Sequence, residues 1–149
     1  MNVDQLVMEL ETADLRRRNA LARAAASSAT DDELRAVIRL LVNPVKNVRL
    51  GAMEVLAYAR FRHSMPYLVD VTRKRTGDDR VMAARAIAAM AEPGDLELEL
   101  FAKQWIGSGD PVLELHGTTV LMRLGIPIPD PKAPRELPWP PPARAKDGK

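Results

Sequence analysis

Cysteine is absent from this 149-residue chain, which excludes disulfides and thiolate metal sites and makes a reducing compartment the natural setting. Aromatic residues are scarce too, at 4% of a chain that is 46% hydrophobic. Such a core is aliphatic and Ala-rich. It suits helices packed closely on helices and argues against a sheet built on β-branched and aromatic side chains. Long hydrophobic runs are also missing. No stretch approaches the roughly 20 apolar residues of a membrane span, and "MNVDQLVMELETADL" lacks the basic start and continuous apolar core of a signal peptide. A cytoplasmic protein with no membrane insertion is the expectation. Nor is there a large excess of one charge. The net charge is +2, and residues 1–125 hold 17 Lys plus Arg against 17 Asp plus Glu, so bulk positive charge cannot drive binding to nucleic acid.

What the chain does hold is a periodic set of Ala-rich helices. The stretch "VRLGAMEVLAYA" from Val48 reads as a helix with Gly51 in its second turn, where Gly costs about 1 kcal/mol relative to Ala. Leu15 lies 33 residues upstream and Val81 33 downstream, and Leu113 follows 32 later. Each begins a similar helix. Seven residues into each stand Ala22, Val55, Ala88 and Val120, and the small residues Gly51 with Ala52, Ala84 and Gly117 fall where a neighbouring helix can come close. A tight helix contact therefore offsets the propensity lost at Gly51.

Each of these helices follows a breaker and another amphipathic segment. Thr30 with Glu33 forms a capping-box pattern ahead of the stripe Leu34, Val37, Ile38 and Leu41. Ser64 is placed as an N-cap with Pro66 in the first turn. "DLELELFAKQWI" alternates like a strand at first, but Leu98, Phe101, Ala102 and Trp105 have helical spacing. Asp110 before Pro111 starts the last helix, and Gly125 with Pro127 ends it.

The reading is an all-α chain: an α-solenoid of about four helical hairpins, in units of about 3–27, 30–61, 64–92 and 95–125, with a proline-rich extended tail over 126–149. Most of the chain's 12 prolines lie in that tail. "NPVKNVRLGAMEVLA" and "GDPVLELHGTTVLMRLG" resemble the repeats of short bacterial HEAT-repeat proteins, of the kind also found in phycobilin lyases, in the Asp-Pro turn, the Val-Arg helix start, the small pair and the closing Leu124-Gly125. The resemblance covers residues 3–125 and implies the solenoid; it serves many roles and implies no single function. Asn43 stands for the turn Asp, Met82 and Glu114 for the helix-start Arg, and Arg18-Asn19 for the small pair. These departures argue against a regular Asp-to-Arg ladder, and the polar Arg18-Asn19 reads as the solvated face of a terminal unit.

Catalytic machinery is hard to find. His63 and His116 sit in different units and outside any His-Glu-x-x-His pattern, so a histidine packed in a helix interface is the simpler reading. "GSG" at 107–109 lacks the Gly-Lys-Ser/Thr ending of a phosphate loop and follows a helix. Asp95, Glu97 and Glu99 are explained by a helix N-terminus rather than a metal. No enzyme activity, cofactor or metal is assigned. Arg60, Arg62, Arg73, Lys74, Arg75, Arg80 and Arg85 give a local excess of +4 over residues 60–85, and Arg16, Arg17, Arg18 and Arg23 form a second group. Helical spacing scatters such residues around the axis, which favours solvated faces over a phosphate-binding surface.

Met53, Met82, Met90 and Met122 fall off the small-residue stripe. They either line a recognition surface or fill gaps in an Ala-rich core. "ELPWPPPAR" presents Trp139 among prolines, either as a ligand for an aromatic groove or as a cover for the last hairpin. The function this supports is a non-catalytic protein-protein interaction adaptor or scaffold, its concave face binding a protein partner around Arg49, Met53, Met82 and Arg85, with Trp139 in a second contact. The alternatives are nucleic-acid backbone binding through the central basic cluster, and a lyase-like accessory protein.

Overall fold

Short polar side chains start the helices where local chemistry allows. In a computed structural model, which describes residues 1–129, Asn2 accepts from the Gln5 amide at 3.0 Å and begins α1, Val3–Thr12. Asp14 does the same for Arg17 at 2.8 Å and begins α2, Leu15–Ser28. Thr30 and Glu33 bond reciprocally, completing a capping box at α3, Asp31–Arg39. After a 3₁₀ turn at Leu40–Val42, α4 runs Lys46–Ala59 and stops at Arg60, whose left-handed φ of 52° turns the chain. A 3₁₀ turn at Arg62–Ser64 leads into α5, Met65–Lys74, and α6 follows at Gly77–Met90. Ser64 does not cap α5 with its side chain. Its hydroxyl instead donates back to the Phe61 carbonyl at 2.6 Å.

The alternating "LEL" segment forms a third 3₁₀ turn at Leu96–Leu98, and the helical spacing takes over in α7, Glu99–Ile106. Asp110 caps α8, Pro111–Leu124, which ends at Gly125 in the left-handed region. The described residues are all-helical, with no strand.

These eight helices pack in a consistent order. α2 lies on α4, α4 on α6, and α6 on α8; α3, α5 and α7 each pack on the even-numbered helix that follows. α1 packs on α2, α3 and α4. The core is aliphatic, as the scarcity of rings requires: Ala22, Val55, Ala88 and Val120 are all buried. α4 is its centre. Val48 and every residue from Leu50 to Leu56 are buried, so this helix has almost no free face.

The small residues sit where a neighbouring helix comes close. A Cβ on Gly51 would stand 2.6 Å from Leu10 Cδ2, so the space freed at this position is taken by α1. A Cβ on Gly117 would stand 2.6 Å from the Ala102 carbonyl oxygen, because α7 crosses α8 there at backbone distance. The helix loses propensity at both positions and gains close packing.

Polar ties join the even-numbered helices as well. Arg18 Nε donates to Glu54 at 2.7 Å, with both side chains buried, and Arg18 Nη1 donates to Asn47 at 2.9 Å. Asn19 donates to the second Glu54 oxygen at 3.2 Å. Asn47 in turn donates to the Leu10 and Ala13 carbonyls at the end of α1. The Arg18-Asn19 pair is therefore not a solvated terminal face: Glu54, two turns into α4, draws it inward. One Arg-to-Asp tie also exists, since Arg49 on α4 reaches Asp79 on α6 at 2.6 Å.

Candidate functional site

The N-terminal halves of the even-numbered helices enclose an open groove of about 430 Å³. α2 contributes Leu15 and Arg18, and α4 contributes Leu50. α6 supplies Asp78, Val81, Met82 and Arg85, while Val112 and His116 come from α8. Leu15 is the first residue of α2 and Val112 the second of α8, both with exposed side chains, Leu15 at 70% exposure. Elsewhere on α8, Leu115 and Met122 are also exposed.

The charges of the groove are mostly matched. Arg18 is held by Glu54, and Asp78 pairs with Lys46, a contact that keeps the Asp78 carboxyl below its usual range. Arg85 is exposed and enters no ion pair among the described residues. Burial, and then the charge of Arg85, lower the pKa of His116, so its imidazole is neutral at pH 7. The groove thus offers apolar side chains, one free guanidinium and one neutral imidazole.

Of the residues expected at a recognition surface, Met82 and Arg85 line this groove and two others do not. Met53 is fully buried, at 0% exposure. Its stretch of α4 is buried from Leu50 to Leu56, so Met53 fills the core, as does Met90. Arg49 turns away to bond Asp79 and the carbonyls of Asn43 and Pro44, at 2.9 and 3.2 Å for the latter two. Leu50, its neighbour in sequence, shares the groove with Met82 instead. Trp139 lies outside the described residues.

Sequence reasoning missed Leu15, Leu50, Val81 and Val112 as lining residues. For Leu15 and Val112, an apolar side chain in the first turn of a helix was the available signal.

The central basic cluster is divided among several tasks. Arg60 donates to the Ala89 carbonyl at 2.7 Å, Lys74 pairs with Asp70 on its own helix, and Arg62 binds the Met90 carbonyl, Glu92 and Asp95. Asp95 is thus a partner for Arg62 rather than an anion at the start of α7, and that hydrogen bond holds its carboxyl below the usual range. In the first group, Arg17 pairs with Glu9 and Arg23 lies over the Tyr58 ring at 5.0 Å. His63 is exposed and tilts against Phe61, with ring centroids 5.3 Å apart.

No helix among the described residues is long and apolar enough to cross a membrane. The chain matches no protein-family model, no curated protein and no solved structure.

Proposed function

We propose that this chain is a non-catalytic protein-interaction adaptor, built as a short α-solenoid of four HEAT-like hairpins and binding its partner in the groove between α2, α4, α6 and α8. The observation that carries this reading is the groove itself: an open apolar surface assembled from four helices, with Met82 and an unpaired Arg85 among its lining residues. The order of packing, each even-numbered helix on the next, supports the solenoid. Met82 is an adaptable contact for varied side chains. Arg85 selects for an acidic residue, so the fitting partner is a protein segment carrying apolar side chains and at least one carboxylate.

The test begins with a photocrosslinking residue at position 82, compared with one at exposed Lys103 on α7. A partner captured from position 82 alone is then purified and titrated against the wild type and Arg85→Glu. We expect at least about tenfold weaker binding for the variant, the scale of losing a close interfacial charge contact. Equal capture at both positions, or an unchanged Kd, refutes the groove as the binding face.

A further inference from the structure

A second cleft, of about 300 Å³, opens between α5, the turn into α6, and α7. Its chemistry is the reverse of the groove's. Arg73, Arg75 and Arg80 line it with Thr76 and Gln104, and no carboxylate does. The guanidinium of Arg73 is fixed over the Phe101 ring at 5.0 Å. Arg75 stands 3.6 Å from Asp79, but Asp79 is already held by Arg49 through two contacts at 2.6 and 3.3 Å. The decisive group is Arg80. Its Nε is buried and has no hydrogen-bond partner among the described residues.

An unpaired buried donor costs roughly 1 to 3 kcal/mol, more when it is charged, and so calls for an explanation. An oxyanion entering the cleft beside it is an acceptor that the arginine-rich lining favours. Arg73, Arg75 and Arg80 surround the space, and Arg49 is already matched by Asp79. Thr76 precedes α6 yet makes no side-chain cap bond, which leaves its hydroxyl available, and the Gln104 amide adds a further donor. Guanidinium groups bind oxyanions through paired N–H bonds, which suits phosphate in particular.

We propose that this cleft binds the phosphate of a small phosphate monoester. A dianion offsets most of the charge brought by the three arginines, and the volume admits a phosphate with a few carbons. A nucleobase finds little to stack on, because Trp105 is buried and Arg73 covers a face of Phe101. The cleft, unlike the groove, is thus a site for a small molecule.

The test uses the full chain at constant ionic strength, with inorganic phosphate and glycerol phosphate as probes and chloride as the reference. Calorimetric titration should show saturable binding of both. In nitrogen-15 spectra the Arg80 Nε–H resonance should shift with the same titration curve, which a general stabilising effect of phosphate would not produce. Arg80→Gln should weaken binding about tenfold or more, while Lys74→Gln, outside the cleft, should leave it unchanged. Should Arg80→Gln fail to fold, Gln104→Ala and the Arg80 resonance of the wild type decide the matter. Absence of saturable binding, an unmoved Arg80 resonance, or equal affinity in the variants overturns the proposal. So does a single-stranded oligonucleotide that binds this cleft and is not displaced by glycerol phosphate, which would assign it to a polymer backbone.

Discussion

The guanidinium of Arg18 on α2 meets the carboxylate of Glu54 on α4 at 2.7 Å, both of them buried. Removing one partner leaves the other charged and unpaired in the core. Glu54→Ala should therefore cost about 3 to 5 kcal/mol, whereas Arg18→Met with Glu54→Leu should recover most of that loss, because the charge and its desolvation go together. Urea denaturation of the three proteins measures both effects. A loss under about 1 kcal/mol for Glu54→Ala would mean that the pair is well solvated after all.

Gly51 and Gly117 are both small residues in the second turn of an even-numbered helix but face different neighbours. The first meets the movable end of Leu10, and the second meets the backbone oxygen of Ala102. Gly51→Ala should fall within about 1 kcal/mol of wild type, as gained helix propensity offsets a small shift of Leu10. Gly117→Ala should cost about 1 to 3 kcal/mol, since α7 must move off α8. Gly51→Leu should cost about as much, because a full side chain needs far more room than a small shift of Leu10 provides. Thermal melts that rank the two alanine variants the other way would contradict this packing.

Met53 and Met82 should separate cleanly by truncation. Met53→Ala opens a cavity in the core and should cost about 2 to 5 kcal/mol, while Met82→Ala, at a half-buried side chain lining the groove, should cost under about 1 kcal/mol. Denaturant midpoints supply the comparison. Only Met82 is then usable for probing partner binding in an intact fold.

Two groups make stability fall on acidification, in different pH ranges. His116 has a folded pKa below its usual 6.5, so the unfolded chain takes up a proton before the folded one does. Its contribution is complete above about pH 6.5 and declines as pH falls from there to the folded value, below which it is constant. Asp95 is held below its usual 3.8 by Arg62, and its contribution is present above about pH 4 and lost as pH falls through the folded value. Urea unfolding at pH 7.5, 5.5 and 3.5 should show both declines, with His116→Gln removing the first and Arg62→Gln weakening the second.

Much of the helical content was legible because its signals act within a turn. Thr30 with Glu33, Asp110 with Pro111, and Gly125 all do locally what their chemistry allows. The candidate site was harder, because it depends on rotation between helices. α2, α4, α6 and α8 begin at Leu15, Lys46, Gly77 and Pro111, which is not one constant step. A register assumed constant puts Arg49 beside Met82, where the structure puts Leu50. Arg18 looked like a solvated residue because Glu54, its partner, lies 36 residues away. The burial of Met53 follows from α1 and α3 covering α4 alongside α2 and α6, and nothing near Met53 in sequence announces it.

The polar ties are unevenly distributed. Arg18–Glu54 joins α2 to α4, and Lys46–Asp78 and Arg49–Asp79 join α4 to α6. Among the described residues no ion pair crosses from α6 to α8, although the two pack together. In amide-exchange terms, α7 and α8 are then the pair expected to open first, at a lower free energy than α2 and α4. Their α8 carries Val112 and His116, one wall of the groove. The groove therefore has one wall held by packing alone, while ion pairs tie α2, α4 and α6 on its other side.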